Sequence, residues 1–136
     1  MKHFACAVLV RDGRLLLGRR APHRKRAPNS WDIIGGAVEA GETPDGALVR
    51  EVREETGVVP TRFERVAVLG EPEPDLYGEG TYHIYRVGEW SGGEPTMRGD
   101  EHVDLRWFTA EEACATPDLA WDEYRRLFRA IADAVT

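Results

Sequence analysis

Short apolar stretches separated by turn residues fill the first quarter of the chain. Residues 4–10 form a continuous apolar run, which predicts a strand buried on both faces. Asp12-Gly13 is typical of a tight turn, so residues 15–20 are predicted to return as the paired strand. After a charged loop that contains two prolines, residues 31–36 resume an extended path.

The second half of the chain alternates strands with loops and ends in helices. Three strands are predicted, at residues 63–69, 81–87 and 103–108, with a loop at 71–80. Thr109 and Glu112 have capping-box form and predict a short helix, and a longer helix is predicted to start at Thr116-Pro117. The longer helix carries an apolar stripe of Trp121, Tyr124, Leu127, Phe128, Ile131 and Val135. This order predicts an α/β protein with a mixed β-sheet between helices.

One helix lies between these halves, and its ends are marked. Thr43 suits the N-cap, Pro44 suits the first helical position, and Gly57 suits the left-handed residue after the last turn. At about 100° per residue, Leu48 and Val52 share a face that can reach a core. The other side carries three acids at the spacing i, i+3, i+4, namely Glu51, Glu54 and Glu55.

These three helix acids predict a metal site. Like charges at this spacing destabilise an isolated helix by about 0.2–0.5 kcal/mol per pair, so a helix that gathers them is expected to hold a cation. Converging carboxylate oxygens favour the hard ions Mg²⁺ or Mn²⁺. The alternative is a solvated acidic face, which is the usual fate of clustered charge. A calcium site is a further alternative, but the EF-hand loop pattern is absent.

The residues around the acids form a longer pattern. Gly36 is followed after five residues by Glu42, and after seven more by Arg50-Glu51-apolar-any-Glu54-Glu55-any-Gly57-apolar. A chance match in a chain of this length is on the order of 10⁻⁷ at average residue frequencies, which favours the metal site over the solvated face. The pattern resembles the signature box of the Nudix hydrolases at every defining position. The resemblance implies a Nudix α/β/α sandwich over residues 1–136 as a single domain, and metal-dependent hydrolysis of a phosphoric anhydride.

The resemblance also implies roles for individual residues. It implies that the three helix acids bind Mg²⁺ or Mn²⁺, with a backbone carbonyl of Gly35 as a further metal contact. In many members of the family an acid in a later loop supplies another ligand or the general base. Glu101 fits this place and Asp100 is the alternative. The general base is then either Glu54 or Glu101.

Arg50 is expected to orient the acids. It can pair with Glu54 at i+4, or with Glu42 across the turn that leads into the helix. Glu42 is therefore given a structural or an indirect metal role.

The candidates for substrate binding precede the helix and are Arg20, Arg19, Gly36 and Trp31. By resemblance, Arg20 helps to bind the nucleotide. Gly36 allows the backbone to come close to a ligand, and Trp31 either stacks on a base or belongs to the core. The basic run at residues 24–26 can meet phosphate oxygens, but it is interpreted as a solvated loop.

The substrate that the resemblance favours is a (deoxy)nucleoside triphosphate, cleaved to the monophosphate and pyrophosphate. Arg20 and the helix start at residues 41–44 look most like those of mutator-type pyrophosphohydrolases. ADP-ribose or another nucleotide sugar is the alternative, because Pro74 lies where ADP-ribose hydrolases tend to carry a proline. A non-catalytic nucleotide-binding module is the alternative of another class, and such a module would be expected to lose box acids, of which this chain has lost none.

Composition and charge limit the kinds of binding partner and the cellular location that are expected. The net charge of −6 argues against a nucleic-acid partner and leaves a small nucleotide as the expected one. Cys6 and Cys114 lack metal-site spacing and predict free thiols. No apolar run approaches the roughly 20 residues that span a bilayer, and the N-terminus lacks the form of a signal peptide. The expected location is the cytoplasm, with monomer and homodimer both open.

Overall fold

The first two strands form a hairpin on which the rest of the chain is assembled. The computed structural model describes residues 1–134. Its elements are β1 (Lys2–Arg11), β2 (Arg14–Arg20), β3 (Trp31–Asp32), β4 (Ile34–Ala37), α1 (Pro44–Thr56), β5 (Val59–Gly70), α2 (Pro74–Tyr77), β6 (Gly80–Ser91), β7 (His102–Thr109), α3 (Ala110–Ala115) and α4 (Tyr124–Ala134). Asp12 and Gly13 both have positive φ, 52° and 74°, and make the predicted two-residue turn between β1 and β2.

The strands form two groups that share this hairpin. One group has the order β4-β1-β6-β5, in which β1 runs parallel to β6 and antiparallel to β4. The other group is antiparallel and places β2 between β7 and β3. β1 and β2 pair with each other only at the turn, through Val10↔Leu15 and Arg11↔Arg14. Beyond the turn, each strand therefore belongs to a different group.

Both faces of β1 are buried, as its continuous apolar run predicted. Cys6, Val8 and Val10 belong to a core cluster that includes the apolar side of α4. Ala5, Ala7 and Leu9 belong to a second cluster that includes the apolar side of α1. The sheet is mixed and lies between α1 on one face and α3 and α4 on the other, which confirms the predicted α/β/α sandwich.

The helix α1 begins and ends where its sequence predicted. The Thr43 side chain accepts a hydrogen bond from the Gly46 amide at 3.1 Å, and Pro44 is the first helical residue. Gly57 has a φ of 79° and donates from its amide to the Arg53 carbonyl. Leu48 and Val52 are fully buried against the sheet.

The later helices differ from the prediction in two places. The predicted start of the last helix at residue 116 is wrong, because Leu119 forms a parallel bridge with Trp31 and the backbone of Asp118 and Ala120 bonds to Trp31, and α4 begins at Tyr124. The predicted loop at residues 71–80 contains the single turn α2, in which Pro74 occupies the first position. Val135 lies outside the described residues. Over residues 1–134, no helix is both long and apolar enough to cross a bilayer.

Candidate active site

A cleft of about 680 Å³ opens beside α4. Its walls come from β1, β4, α1 and β6, and from the loops that precede β3, β6 and β7. Acidic and basic side chains line one part of it, and aromatic side chains line another. Two acids of the sequence pattern, Glu51 and Glu55, line this cleft together with Glu101.

Three carboxylates meet inside the cleft. One oxygen each of Glu51, Glu55 and Glu101 lies within 4.8 Å of the other two. Glu51 and Glu55 come from one face of α1, and Glu101 comes from the segment just before β7. The structure thus brings together two of the three predicted helix acids and the predicted loop acid.

Backbone hydrogen bonds hold the segment that carries Glu101 against the end of α1. The amides of Thr96 and Arg98 donate to the carbonyls of Thr56 and Glu55, both at 3.0 Å, and so satisfy two carbonyls at the helix end. On its other side, the Glu101 carbonyl accepts from the Ala21 amide at 3.0 Å. The position of Glu101 relative to Glu55 is therefore fixed by the main chain.

Two glycines in β4 make room for the acids. A Cβ atom on Gly36 would lie 2.6 Å from the Glu51 carboxyl carbon, so the Glu51 side chain passes directly over this residue. A Cβ atom on Gly35 would lie 2.3 Å from the Ala5 carbonyl oxygen of the neighbouring strand. Both glycines line the cleft. The metal contact of the Gly35 carbonyl and the close approach of a ligand to Gly36 stay predictions.

The acidic cluster lacks positive charge at its most buried member. Glu55 is 5% exposed, and neither of its side-chain oxygens has a hydrogen-bond partner among the described residues. Burial, together with the nearby carboxylates of Glu101 and Glu51, raises the pKa of Glu55 to about 11. Burial also raises the pKa of Glu51. Unpartnered buried carboxylate oxygens next to two further acids are a donor set that fits a divalent cation.

Arg50 ties the acids to the turn before α1. Its guanidinium donates to both oxygens of Glu42, at 2.8 and 2.9 Å, and to Glu51 at 2.9 Å. It also reaches Glu54 at 3.3 Å, so both of the pairings that the sequence left open are present. Contact with the Arg50 side chain lowers the pKa of Glu42 to about 2.

Glu54 lies outside the cluster of three carboxylates. Its side chain is 57% exposed, and its contact within the described chain is the ion pair with Arg50. This position leaves Glu54 open to solvent at the rim. Its role as metal ligand or general base stays a prediction.

Arg20, at the end of β2, and two arginines of the loop that follows it line the cleft. Arg20 donates to Asp32 at 3.1 Å and to the Arg26 carbonyl at 2.9 Å. A terminal guanidinium nitrogen of Arg24 lies 3.5 Å from a carboxylate oxygen of Glu101. Arg26 also lines the cleft. The interpretation of residues 24–26 as a solvated loop is therefore wrong for Arg24 and Arg26, whose partners lie far away in sequence, and holds for the exposed Lys25 alone.

Trp31 and Arg19 point away from the cleft. Trp31 is 5% exposed and packs edge-on against Phe108 in the core, so its ring is not available to stack on a base. Arg19 alternates with Arg20 along β2, and its guanidinium lies 5.8 Å from the centre of the Trp31 ring. The predicted substrate contacts of Trp31 and Arg19 are therefore wrong, because neither residue lines the cleft.

An aromatic wall of the cleft and the buried His102 were not predicted from the sequence, which assigned Trp121 to the apolar stripe of the last helix. Phe4 and Tyr82 stack at 4.6 Å between ring centres, and Trp121 meets Tyr82 edge-on at 5.5 Å. Strand alternation alone puts Phe4 on the same face as Cys6, but it does not tell which face bears the cleft. His102 is buried, with its Nδ1 3.7 Å from Glu55, and burial lowers its pKa.

Residues 1–131 match the family model of the NUDIX domain. The chain belongs to the Nudix hydrolase family. It is 35% identical over 118 residues to the CTP pyrophosphohydrolase of Escherichia coli K12, and the aligned region covers 86% of this chain and 82% of the relative. It is 34% identical over 116 residues to the nucleoside triphosphatase NudI of Enterobacter sp. strain 638, covering 78% of this chain and 80% of the relative.

Solved structures of Nudix proteins have the same fold. The MutT NUDIX hydrolase of Burkholderia pseudomallei superposes with a TM-score of 0.81 at 27% identity, covering 99% of this chain and 98% of that one. The solution structure of the Escherichia coli ORF135 protein gives a TM-score of 0.79 at 31% identity, covering 100% and 91%. This Nudix chain is thus an enzyme of the pyrophosphohydrolase family, whose members generally require a divalent metal ion.

Proposed function

We propose that this Nudix enzyme hydrolyses a (deoxy)nucleoside triphosphate to the monophosphate and pyrophosphate, with Mg²⁺ or Mn²⁺ as cofactor. The observation that carries the proposal is the meeting of Glu51, Glu55 and Glu101, with both oxygens of Glu55 unpartnered among the described residues, inside a cleft that Arg20 also lines. Oxygen-only donors suit these hard ions. The names of the two curated relatives support a nucleoside triphosphate as the substrate class.

The acids and arginines divide the work of the reaction. Glu51, Glu55, Glu101 and the Gly35 carbonyl would hold a divalent ion, which would supply neutralisation of phosphate charge and a lowered pKa of a bound water. Glu54 or Glu101 accepts the proton of the attacking water. The new P–O bond forms in line with the P–O bond that breaks, and pyrophosphate leaves.

The remaining residues hold the reactants. Arg20 binds phosphate oxygens, for which its guanidinium in the cleft wall is suited. Arg50 keeps Glu51 and Glu54 in place through the contacts described above. Phe4, Tyr82 and Trp121 offer apolar ring faces to the nucleoside.

ADP-ribose or another nucleotide sugar is the second candidate substrate. Pro74 opens α2, whose Leu76 and Tyr77 line the cleft, so the proline lies beside the substrate region. A non-catalytic binding module is disfavoured because every acid of the sequence pattern is present.

A panel of nucleoside triphosphates and ADP-ribose, assayed with Mg²⁺ and with Mn²⁺, tests the proposal. We expect a triphosphate to release pyrophosphate and monophosphate without inorganic phosphate. Preferential cleavage of ADP-ribose would select the alternative, and cleavage of no P–O–P compound would reject both. Arg20→Ala should raise KM more than it lowers kcat, whereas Arg62→Ala, at an 80% exposed side chain outside the cleft, should change neither.

A further inference from the structure

An ion pair crosses from one wall of the cleft to the other. Arg26, in the loop before β3, donates through its two terminal nitrogens to both oxygens of Glu71, at 2.5 and 2.6 Å. Glu71 lies just after β5, and its amide donates to the Gly80 carbonyl at 2.9 Å. Two loops that are separate in sequence are therefore joined by a two-pronged contact, the strongest geometry an arginine makes with a carboxylate.

Aromatic side chains complete this contact. The Tyr82 hydroxyl accepts from Arg26 at 2.7 Å and donates to Glu71 at 2.9 Å. The Arg26 guanidinium also lies 4.2 Å from the centre of the Tyr77 ring in α2. The Glu71 side chain is only 3% exposed, so both of its oxygens are committed to these partners and to the Glu73 amide. Arg26 thus fixes Tyr77 and Tyr82 relative to each other.

The pair lies at the aromatic end of the cleft, away from the acids. β6, which carries Tyr82, is separated from β4 and its glycines by β1 alone. Two strand spacings correspond to roughly 10 Å. Tyr82 stacks there with Phe4, and Trp121 closes the same wall. A nucleotide with its phosphates on the acids and Arg20 would therefore extend its nucleoside toward the ion pair.

We propose that Arg26 and Glu71 are positioning residues that set the shape of the nucleoside end and thereby the base preference of the enzyme. This inference rests on the function proposed above. Arg26 acts through Glu71 and the two tyrosines, since both of its terminal nitrogens already bind them. Its carbonyl accepts from Arg20, so the same loop also braces the phosphate contact.

Two substitutions separate this role from direct binding of substrate by Arg26. Glu71→Gln keeps the shape of the side chain but removes its charge, and leaves Arg26 in place. Arg26→Lys keeps the positive charge but loses the two-pronged contact. If Arg26 acts through Glu71, both variants should behave as Arg26→Ala does. If Arg26 binds the substrate directly, Glu71→Gln should leave KM unchanged or lower it.

The matched control is another arginine that pairs with a glutamate beside an aromatic ring. Arg11 pairs with Glu94 and lies 4.5 Å from the centre of the Trp107 ring, outside the cleft lining. Arg11→Ala should leave all kinetic constants as in the wild type.

The experiment measures kcat and KM of each variant for ATP, GTP, CTP and UTP, with Mn²⁺ affinity as a second readout. We expect Arg26→Ala and Glu71→Gln to raise KM for the preferred nucleotide about tenfold, the size of a lost base–aromatic contact, with kcat within about threefold. The preference among the four nucleotides should flatten. Inhibition by the nucleoside monophosphate should weaken to the same degree, while inhibition by pyrophosphate and the affinity for Mn²⁺ should stay at wild-type values.

Three results would overturn the proposal. They are an unchanged KM and base preference in both variants, an effect of Arg26→Ala that Glu71→Gln does not share, and an equal loss of pyrophosphate inhibition. Should Arg26→Ala fail to fold, Arg26→Lys and Glu71→Gln decide the matter with the same readouts. A wild-type enzyme that binds no nucleotide would instead reject the proposed function, which separates the two failures.

Discussion

Gly36→Ala tests whether the narrow passage over β4 positions Glu51. The added Cβ atom would lie 2.6 to 2.7 Å from the carboxyl carbon and both oxygens of Glu51. Ordinary contact begins near 3.4 Å, so the carboxylate must retreat by about 0.8 Å. A displacement of about 1 Å in a group of the reacting centre costs on the order of 100-fold in rate. We therefore expect kcat/KM to fall about 100-fold and Mn²⁺ to bind more weakly.

Gly70→Ala is the matched control for this substitution. It adds the same methyl group at a strand end where nothing lies within 4 Å. The assays are steady-state kinetics, calorimetric titration with Mn²⁺ and thermal unfolding of both variants. Wild-type kcat/KM and wild-type Mn²⁺ affinity in Gly36→Ala would refute the placement of Glu51 that the structure gives.

Three further substitutions test other parts of the site. The pKa of Glu55 is raised from 4.5 to about 11, so this group lowers the stability of the metal-free fold as pH rises above 4.5. Glu55→Gln should therefore raise the melting temperature of the metal-free protein at pH 8 and abolish the added stabilisation by Mg²⁺. A metal-free variant that melts below the metal-free wild type would contradict this. Glu54→Gln should lower kcat about 10²- to 10⁴-fold with little change in thermal stability, because its side chain lies at the rim; near-normal kcat would remove Glu54 from the mechanism. Gly57→Ala should cost about 1–3 kcal/mol in denaturant unfolding, since φ is 79° and a Cβ atom would lie 2.5 Å from the Arg98 guanidinium, and an unchanged midpoint would argue against both causes.

Local signals in the sequence predicted the elements that depend on local interactions. The caps of α1 and the turn at Asp12-Gly13 are set by neighbouring residues, and both formed as predicted. The start of α4 was not predictable in this way. It depends on backbone pairing of residues 118–120 with Trp31, nearly ninety residues earlier.

The same distinction holds within the site. The helix acids and Glu101 were found from the sequence pattern and the family resemblance, because their residue types and spacing carry the signal. The burial of Trp31 depends on Phe108 and α4, and the role of Arg26 depends on Glu71, which lies 45 positions away. No run of neighbouring residues encodes such contacts, so composition alone favoured the solvated loop.

Anchoring of residues 96–98 to the end of α1 has a practical consequence for the turn that precedes them. Gly92 and Gly93 are exposed, whereas the chain on either side is tied down, by the pairing of β6 with β5 and by the Thr96 and Arg98 amides. Residues inserted at this tip would project into solvent without displacing the Glu101 carboxylate. The tip is thus a suitable attachment point for a fluorescent reporter or a surface tether.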